Sequence, residues 1–354
     1  MVPVVLALVA VAAGGPALNA SAHGHGWGRA QGDQGGGWPP STTTTSGTTG
    51  STLPSPTTST TSTTSTTSTT STTSTSTTST TSTTTMLPPP PPPSSSSLPA
   101  PAGYSNKIFE DLFSGGALDS SKWNSYLTSR AANGWPWNSN GAGGSGSNAG
   151  GFNEEYYQTS GVSVNNGLTL TASQGSTQPG YTWTSGAICS YGKFQFDGGY
   201  VQVRAKMPAG DGMWPGIWML PGPGATNGDD IEIDNFEGGF INGSTPANDV
   251  YAWHLLDWAL NVKTGGVPNV GQDLTTGYHT YGLAWVPGQS ITWYLDGIQV
   301  GRVTSAQLVI PNEPMELIVT LGVANSSASG WRTFADASTP SRASMEVSDF
   351  QVWQ

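Results

Sequence analysis

Asp229-Asp-Ile-Glu-Ile-Asp-Asn-Phe-Glu-Gly-Gly239 is the stretch on which the reading of this chain turns. Acids and isoleucines alternate in it, and period-two alternation marks a strand with one face against a core. Glu232 and Asp234 fall on one face, Ile231 and Ile233 on the other. Glu237 has the wrong parity: in a regular strand it points to the isoleucine side. One extra residue, a β-bulge around Asn235-Phe236, returns it to the acidic face. Three carboxylates gathered there repel one another, which costs stability and raises at least one pKa. A sequence that keeps them together has a use for them.

Outward from this stretch, short runs rich in β-branched and aromatic residues recur between Gly, Asn, Pro and Asp. They are Val162–Val164, Leu168–Ala172, Tyr200–Met207, His279–Val286, Ile291–Asp296 and Met345–Trp353. Asn165-Asn166-Gly167 and Asp296-Gly297 have the composition of hairpin turns. No long run has helical period. About 250 residues of strands and turns, from Tyr104 to Gln354, give an all-β domain, a two-sheet sandwich or a barrel.

The residues before Tyr104 have no such pattern. Val2 to Ala13 is apolar and Ala20-Ser21-Ala22 is a small-x-small site, so residues 1–22 read as a signal peptide. Gly14-Gly15-Pro16 ends the apolar run too early for a membrane span. Residues 23–103 form a disordered linker, first Gly-rich, then built of Thr-Thr-Ser repeats and prolines. His23 and His25 belong to this solvated tail and lack further metal ligands nearby. The protein is expected outside the cell, secreted or associated with the cell wall.

A formal net charge of −11 without a basic run excludes nucleic acid and anionic membrane as partners. The single cysteine, Cys189, excludes an intrachain disulfide and a thiolate metal cluster, and reads as a small buried apolar residue. The 14 Trp and 11 Tyr suit a partner with flat faces and little charge, as sugar rings have. Placing one ionised carboxylate and one protonated acid across a bond is, in turn, what glycoside hydrolysis requires.

Glu232-Ile-Asp234-Asn-Phe-Glu237 resembles the active-site signature of glycoside hydrolase family 16, in the bulged form of laminarinases, agarases and carrageenases. Gly212-Met-Trp214-Pro-Gly-Ile-Trp218-Met-Leu220 resembles the family's segment before that strand, and Gly199–Pro208 the strand before it. Tyr278–Gly282 with Ile291–Gly297 resembles a downstream hairpin, and Phe109–Asp111 with Leu118–Trp123 the family's opening. The resemblance runs from about residue 104 to the C-terminus.

It implies a β-jelly-roll sandwich of two antiparallel sheets with a concave sugar-binding cleft. It implies a retaining endo-β-glycosidase acting on β-glucan, with β-1,3-glucan foremost, a hydrolase or transglycosylase on another β-glucan or galactan second, and a non-catalytic sugar-recognition protein third. Glu232 is then the nucleophile, Glu237 the acid/base that titrates above it, and Asp234 the neighbour that tunes Glu232. Trp214 and Trp218 precede the acidic strand; Trp214 is expected as an exposed sugar platform and one of the two as core. His254 stands where the family has a cleft-lining histidine, with Trp253 beside it, and Asn153 lies in an Asn-Glu-x-x-Tyr-like stretch that contacts sugar. Ala187 replaces an arginine that many laminarinases use on substrate. No cofactor is needed for catalysis. A structural calcium is implied at the Asp349 side chain, with backbone oxygens near Asp111 and Gly167. The domain is expected to act as a monomer.

Overall fold

Residues 97–128, 152–176, 179–225 and 231–354 are described by the computed structural model. The expected signal peptide and the linker up to residue 96 lie outside the described residues, as do Asp229 and Asp230. Sixteen strands follow among the described residues: β1 Lys107–Asp111, β2 Glu155–Tyr157, β3 Val162–Val164, β4 Leu168–Gln174, β5 Trp183–Ser185, β6 Ala187–Cys189, β7 Gly199–Lys206 and β8 Met213–Pro221. Then come β9 Ile231–Glu237, β10 Ala252–Asp257, β11 Val262–Gly266, β12 His279–Val286, β13 Ser290–Leu295, β14 Ile298–Thr304, β15 Met315–Val323 and β16 Arg342–Trp353.

They form two sheets. One has ten strands, with the path β14-β13-β12-β7-β16-β4-β5-β2, β1 pairing with β16 and β3 with β4. The other has six, in the order β11-β10-β9-β8-β15-β6. Pairing is antiparallel throughout the named strands except at one edge, where β2 runs parallel to β5, a departure from two purely antiparallel sheets. The turns are those expected: Asn166 at φ 52 with Gly167 joins β3 to β4, and Asp296 at φ 49 with Gly297 at φ 80 joins β13 to β14. Both φ angles positive, at Asp-Gly, is the primed turn that matches strand twist.

The core lies between the sheets. Val201, Val203 and Ala205 of β7 meet Ile231, Ile233 and Phe236 of β9 and Leu317, Val319 and Leu321 of β15 in one buried cluster. Each Val, Leu, Ile or Phe among them contributes about 1.5–3 kcal/mol by leaving water. β8 and β15 are buried on both faces along all nine residues, so they carry little alternation. The outer face of the six-stranded sheet carries Glu232, Asp234 and Glu237. Half of it is covered: Leu127 and Tyr157 pack there with Trp218, Leu220, Ile318, Ala187 and Cys189. On the other side of the sandwich, the backbone N–H of Leu98 donates to Asp349 Oδ2 at 2.7 Å and Gln202 Nε2 to the Pro99 carbonyl at 3.0 Å, laying residues 97–99 on the outer face of the ten-stranded sheet.

Candidate active site

The bulge in β9 is present. Against β8, Phe236 pairs with Ile217 and Asp234 with Trp218, so Asn235 is the extra residue. A bulge strips carbonyls of their ladder partners, and here two aromatic donors replace them. Trp293 Nε1 donates to the Asp234 carbonyl at 2.8 Å, and Tyr251 Oη to the Asn235 carbonyl at 2.5 Å. Ile231, Ile233 and Phe236 therefore stay in the core while Glu232, Asp234 and Glu237 share the outer face.

Each carboxylate has its own surroundings. Glu237 is buried and accepts from Trp214 Nε1 at 2.8 Å and Arg332 Nη2 at 3.2 Å; His254 Nδ1 lies 2.5 Å from its Oε2. Glu232 is half-buried and accepts from Trp258 Nε1 at 2.7 Å. Asp234, buried beside it, hydrogen-bonds Glu232 and lies 3.7 Å from His254 Nδ1. Gly265 of β11, opposite His254, has room for no side chain: a Cβ there meets the Trp253 carbonyl at 2.7 Å and the imidazole besides.

Electrostatics divides the three. Burial, reinforced by the charge of Glu237, pushes Glu232 up to about 7, against the pull of the Trp258 donor. Asp234 is pushed well above the ordinary carboxyl range by burial and then by Glu237 and Glu232, so it keeps its proton and donates to Glu232. Burial raises Glu237 too, but His254, Arg332 and Trp214 outweigh it and hold it below the usual value. The expected order, Glu237 titrating above Glu232, is thus reversed in the free site. The reason is His254 first, and then Arg332, which the sequence reading did not place here. Asp234, Glu237 and His254 bring ligand-type atoms within 4.8 Å of one another. Arg332 already supplies positive charge to the Glu237 carboxylate.

The aromatic expectations need correction. Trp214 is buried, at 4% exposure, and serves Glu237 as an N–H donor; it is no open platform. Trp218 is under the Leu127–Tyr157 cover, with its N–H on Thr320 Oγ1 at 3.1 Å. Trp253 faces the core, stacked on Trp293 at 4.4 Å, because neighbours on a strand point to opposite faces and His254 takes the outer one. Asn153 is fully buried with its amide 3.4 Å from Glu155 Oε1, so it supports the fold. Among the described residues the more open tryptophan faces are two others. Trp258, just past β10, is half-buried beside Glu232, and Trp331 is half-buried, edge-on to Trp214 at 5.7 Å. Both lie in turns without strand period. Neither has a local signal in the sequence. Ala187 and Cys189 are buried on the covered half, as a small side chain allows.

At the calcium position the donors fit in part. Asp349 Oδ1 is buried without a hydrogen-bond partner, which suits a hard cation. Its other oxygen is taken by Leu98 N–H, and Asp111 spends both oxygens on Phe113 N and Trp123 Nε1, each at 2.8 Å. Only backbone oxygens remain at Asp111 and Gly167.

Known proteins resemble this chain in sequence and in fold. The chain is 32% identical over 287 residues to the glucan endo-1,3-beta-glucosidase of Niallia circulans, covering 72% of this chain and 39% of that protein. It is 29% identical over 198 residues to an endo-1,3-1,4-beta-glycanase of Rhizobium meliloti, covering 53% of this chain and 40% of that one. The chain thus spans well under half the length of these curated relatives. Among solved structures, the catalytic domain of an endo-1,3-beta-glucanase (laminarinase) from Thermotoga petrophila superposes with a TM-score of 0.55 at 22% identity, covering 71% of this chain and 98% of that domain, a likeness of fold. The profile of "Glycosyl hydrolases family 16" matches residues 151–338, over half of the chain and all of the acidic strand. With that match on a two-sheet jelly roll that sets Glu232, Asp234 and Glu237 on one face, the chain belongs to glycosyl hydrolases family 16.

Proposed function

We propose that this chain is a secreted, monomeric, retaining endo-β-glucanase that cleaves β-1,3-glucan, with Glu232 as nucleophile and Glu237 as acid/base. The observation that carries the reading is the Asn235 bulge, which brings Glu237 back beside Glu232 and gives the two glutamates opposite electrostatic surroundings. In the first step Glu232 attacks the anomeric carbon while the Glu237 proton passes to the departing glycosidic oxygen. Water then attacks the glycosyl-enzyme and gives its proton to Glu237, and Glu232 leaves.

The free site keeps its proton on the Asp234–Glu232 pair, so the reaction requires substrate to redistribute it. A glycosidic oxygen set against Glu237 is an acceptor that only the protonated acid can use, which raises Glu237. Asp234, which donates to Glu232, holds the nucleophile once it is ionised. Trp258 and Trp331 offer half-open rings beside the cluster for the C–H faces of the sugar. A non-catalytic sugar binder has no use for such a divided set of carboxyls.

Catalysis draws on no cofactor. A structural Ca²⁺ held by Asp349 Oδ1 and backbone oxygens near Asp111 and Gly167 would tie β16 to β1 on the side away from the chemistry. Reducing-sugar release from laminarin, lichenan, agarose and carrageenan tests the assignment. Laminarin should be cut fastest; no release from any of the four would overturn it.

A further inference from the structure

We propose that Arg332 is a positioning residue for Glu237: reaching in from the loop between β15 and β16, it fixes the carboxyl and sets a guanidinium against it. This rests on Glu237 being the acid/base.

The side chain is wholly buried, and burial pushes even this guanidinium down to about 9. A cation kept there needs a reason beyond stability, since apolar replacements of buried ions are often neutral or stabilising. The contacts point to one residue. Nη2 reaches Glu237 Oε1 at 3.2 Å, and Nη1 donates to the carbonyl of Gly238, the next residue. The guanidinium carbon lies 3.6 Å from the Trp214 ring centre and 4.0 Å from that of Phe240, so the cation is gripped between two rings. A backbone bridge between Phe240 and Arg332 fixes where the arginine starts. One side chain thus holds the carboxyl, the backbone after it and the indole that also donates to it.

The groups that face Glu237 are Arg332 from the loop, His254 from β10, Asp234 and Glu232 from β9, and the neutral Trp214 N–H from β8. Of these, Arg332, with its value at about 9, keeps its charge across acidic and neutral pH. When the Glu237 O–H proton moves to the departing oxygen and the C–O electrons follow to that oxygen, a carboxylate is left against a guanidinium already in place. Arg332 makes Glu237 the stronger acid and the weaker base.

The test uses Arg332→Met and Arg332→Gln; the second keeps an amide donor without charge and serves alone if the first does not fold. Carboxyl ¹³C NMR titration of the full chain, with Glu237→Gln to assign the signal, should show the Glu237 midpoint moving to higher pH in either variant and staying near wild type in Arg332→Lys. On unactivated β-glucan, kcat/KM should fall more than about tenfold, and on an aryl glycoside with a good leaving group less than about threefold, because proton donation matters less there. An unmoved midpoint, or equal losses on both substrates, overturns the proposal. A wild-type chain that cuts no glycan defeats the proposed function instead, and the NMR midpoint still decides the role of Arg332.

Discussion

The outer face of the six-stranded sheet buries carboxyl groups in two places. In the half built by β9 and β10, Glu232, Asp234 and Glu237 meet a guanidinium, an imidazole and two indole N–H groups. In the half built by β15 and β6, Glu316 is buried beside Cys189, and nearby Glu155 accepts from Val323 N–H and Asn153. Burial pushes Glu155 up to about 8 and Glu316 well above its usual range. Both halves remove water. Only the first sets a cation against one of its carboxyls, so that one there is lowered while its neighbours are raised. Burial alone makes acids inert, and asymmetry among neighbours makes them reactive.

The largest effect that separates the halves is expected from matched amide substitutions. Glu232→Gln should lower hydrolysis by roughly four orders of magnitude, since an amide forms no glycosyl intermediate. Glu316→Gln should leave reducing-sugar release within about threefold of wild type. Similar losses in both would erase the distinction between the halves.

Next, Glu237→Ala should slow release by about 10²–10⁴-fold, the range of a lost general acid. Azide should then restore turnover and yield a glycosyl azide of β configuration, detected by NMR of the product. An α-azide would exchange the roles of the two glutamates.

A smaller effect concerns stability in the covered half. A carboxyl raised by folding stabilises fully below its unfolded pKa, and that contribution is lost as pH rises toward the folded value. For Glu155, with a folded value of about 8, the window runs from mildly acidic to pH 8. Melting temperature should therefore fall between pH 5 and pH 8.5, and Glu155→Gln should reduce the fall by roughly 10 °C. An unchanged slope by calorimetry would mean Glu155 is not the group responsible.

The finest test lies at the edge of the reactive half. Trp258→Phe keeps a ring beside Glu232 but removes its N–H, which favours the ionised form. Losing it raises Glu232, so the acidic limb of the pH–rate profile should move up by roughly half a pH unit. A limb that stays in place, with only KM altered, would restrict Trp258 to holding sugar.

What was legible in the sequence follows from which faces the strands show. β9, β7 and β12 alternate because one face is core and the other is not, and the bulge was readable as a parity fault at Glu237. β8 and β15 gave no alternation, since both their faces are buried. Period two also carried an unused warning: Trp253 and His254, adjacent in β10, cannot both face the site. Arg332 and Trp258 had no local signal at all. They reach the cluster 95 and 26 residues away in sequence from the glutamates they touch, by contacts that only the closed sandwich creates.

The short lashing of residues 97–99 to Asp349, Gln202 and Gln351 has a mechanical meaning. A pull on the chain from before residue 97 is borne first by those hydrogen bonds, on the sheet opposite the acids. The force passes into β16, twelve residues long and hydrogen-bonded to β1, β4 and β7, where it is shared in shear among several strands. β9 stands in the other sheet, outside that load path. Tension on the tether therefore reaches the back of the sandwich before it can disturb the sub-ångström placement on which Glu232 and Glu237 depend.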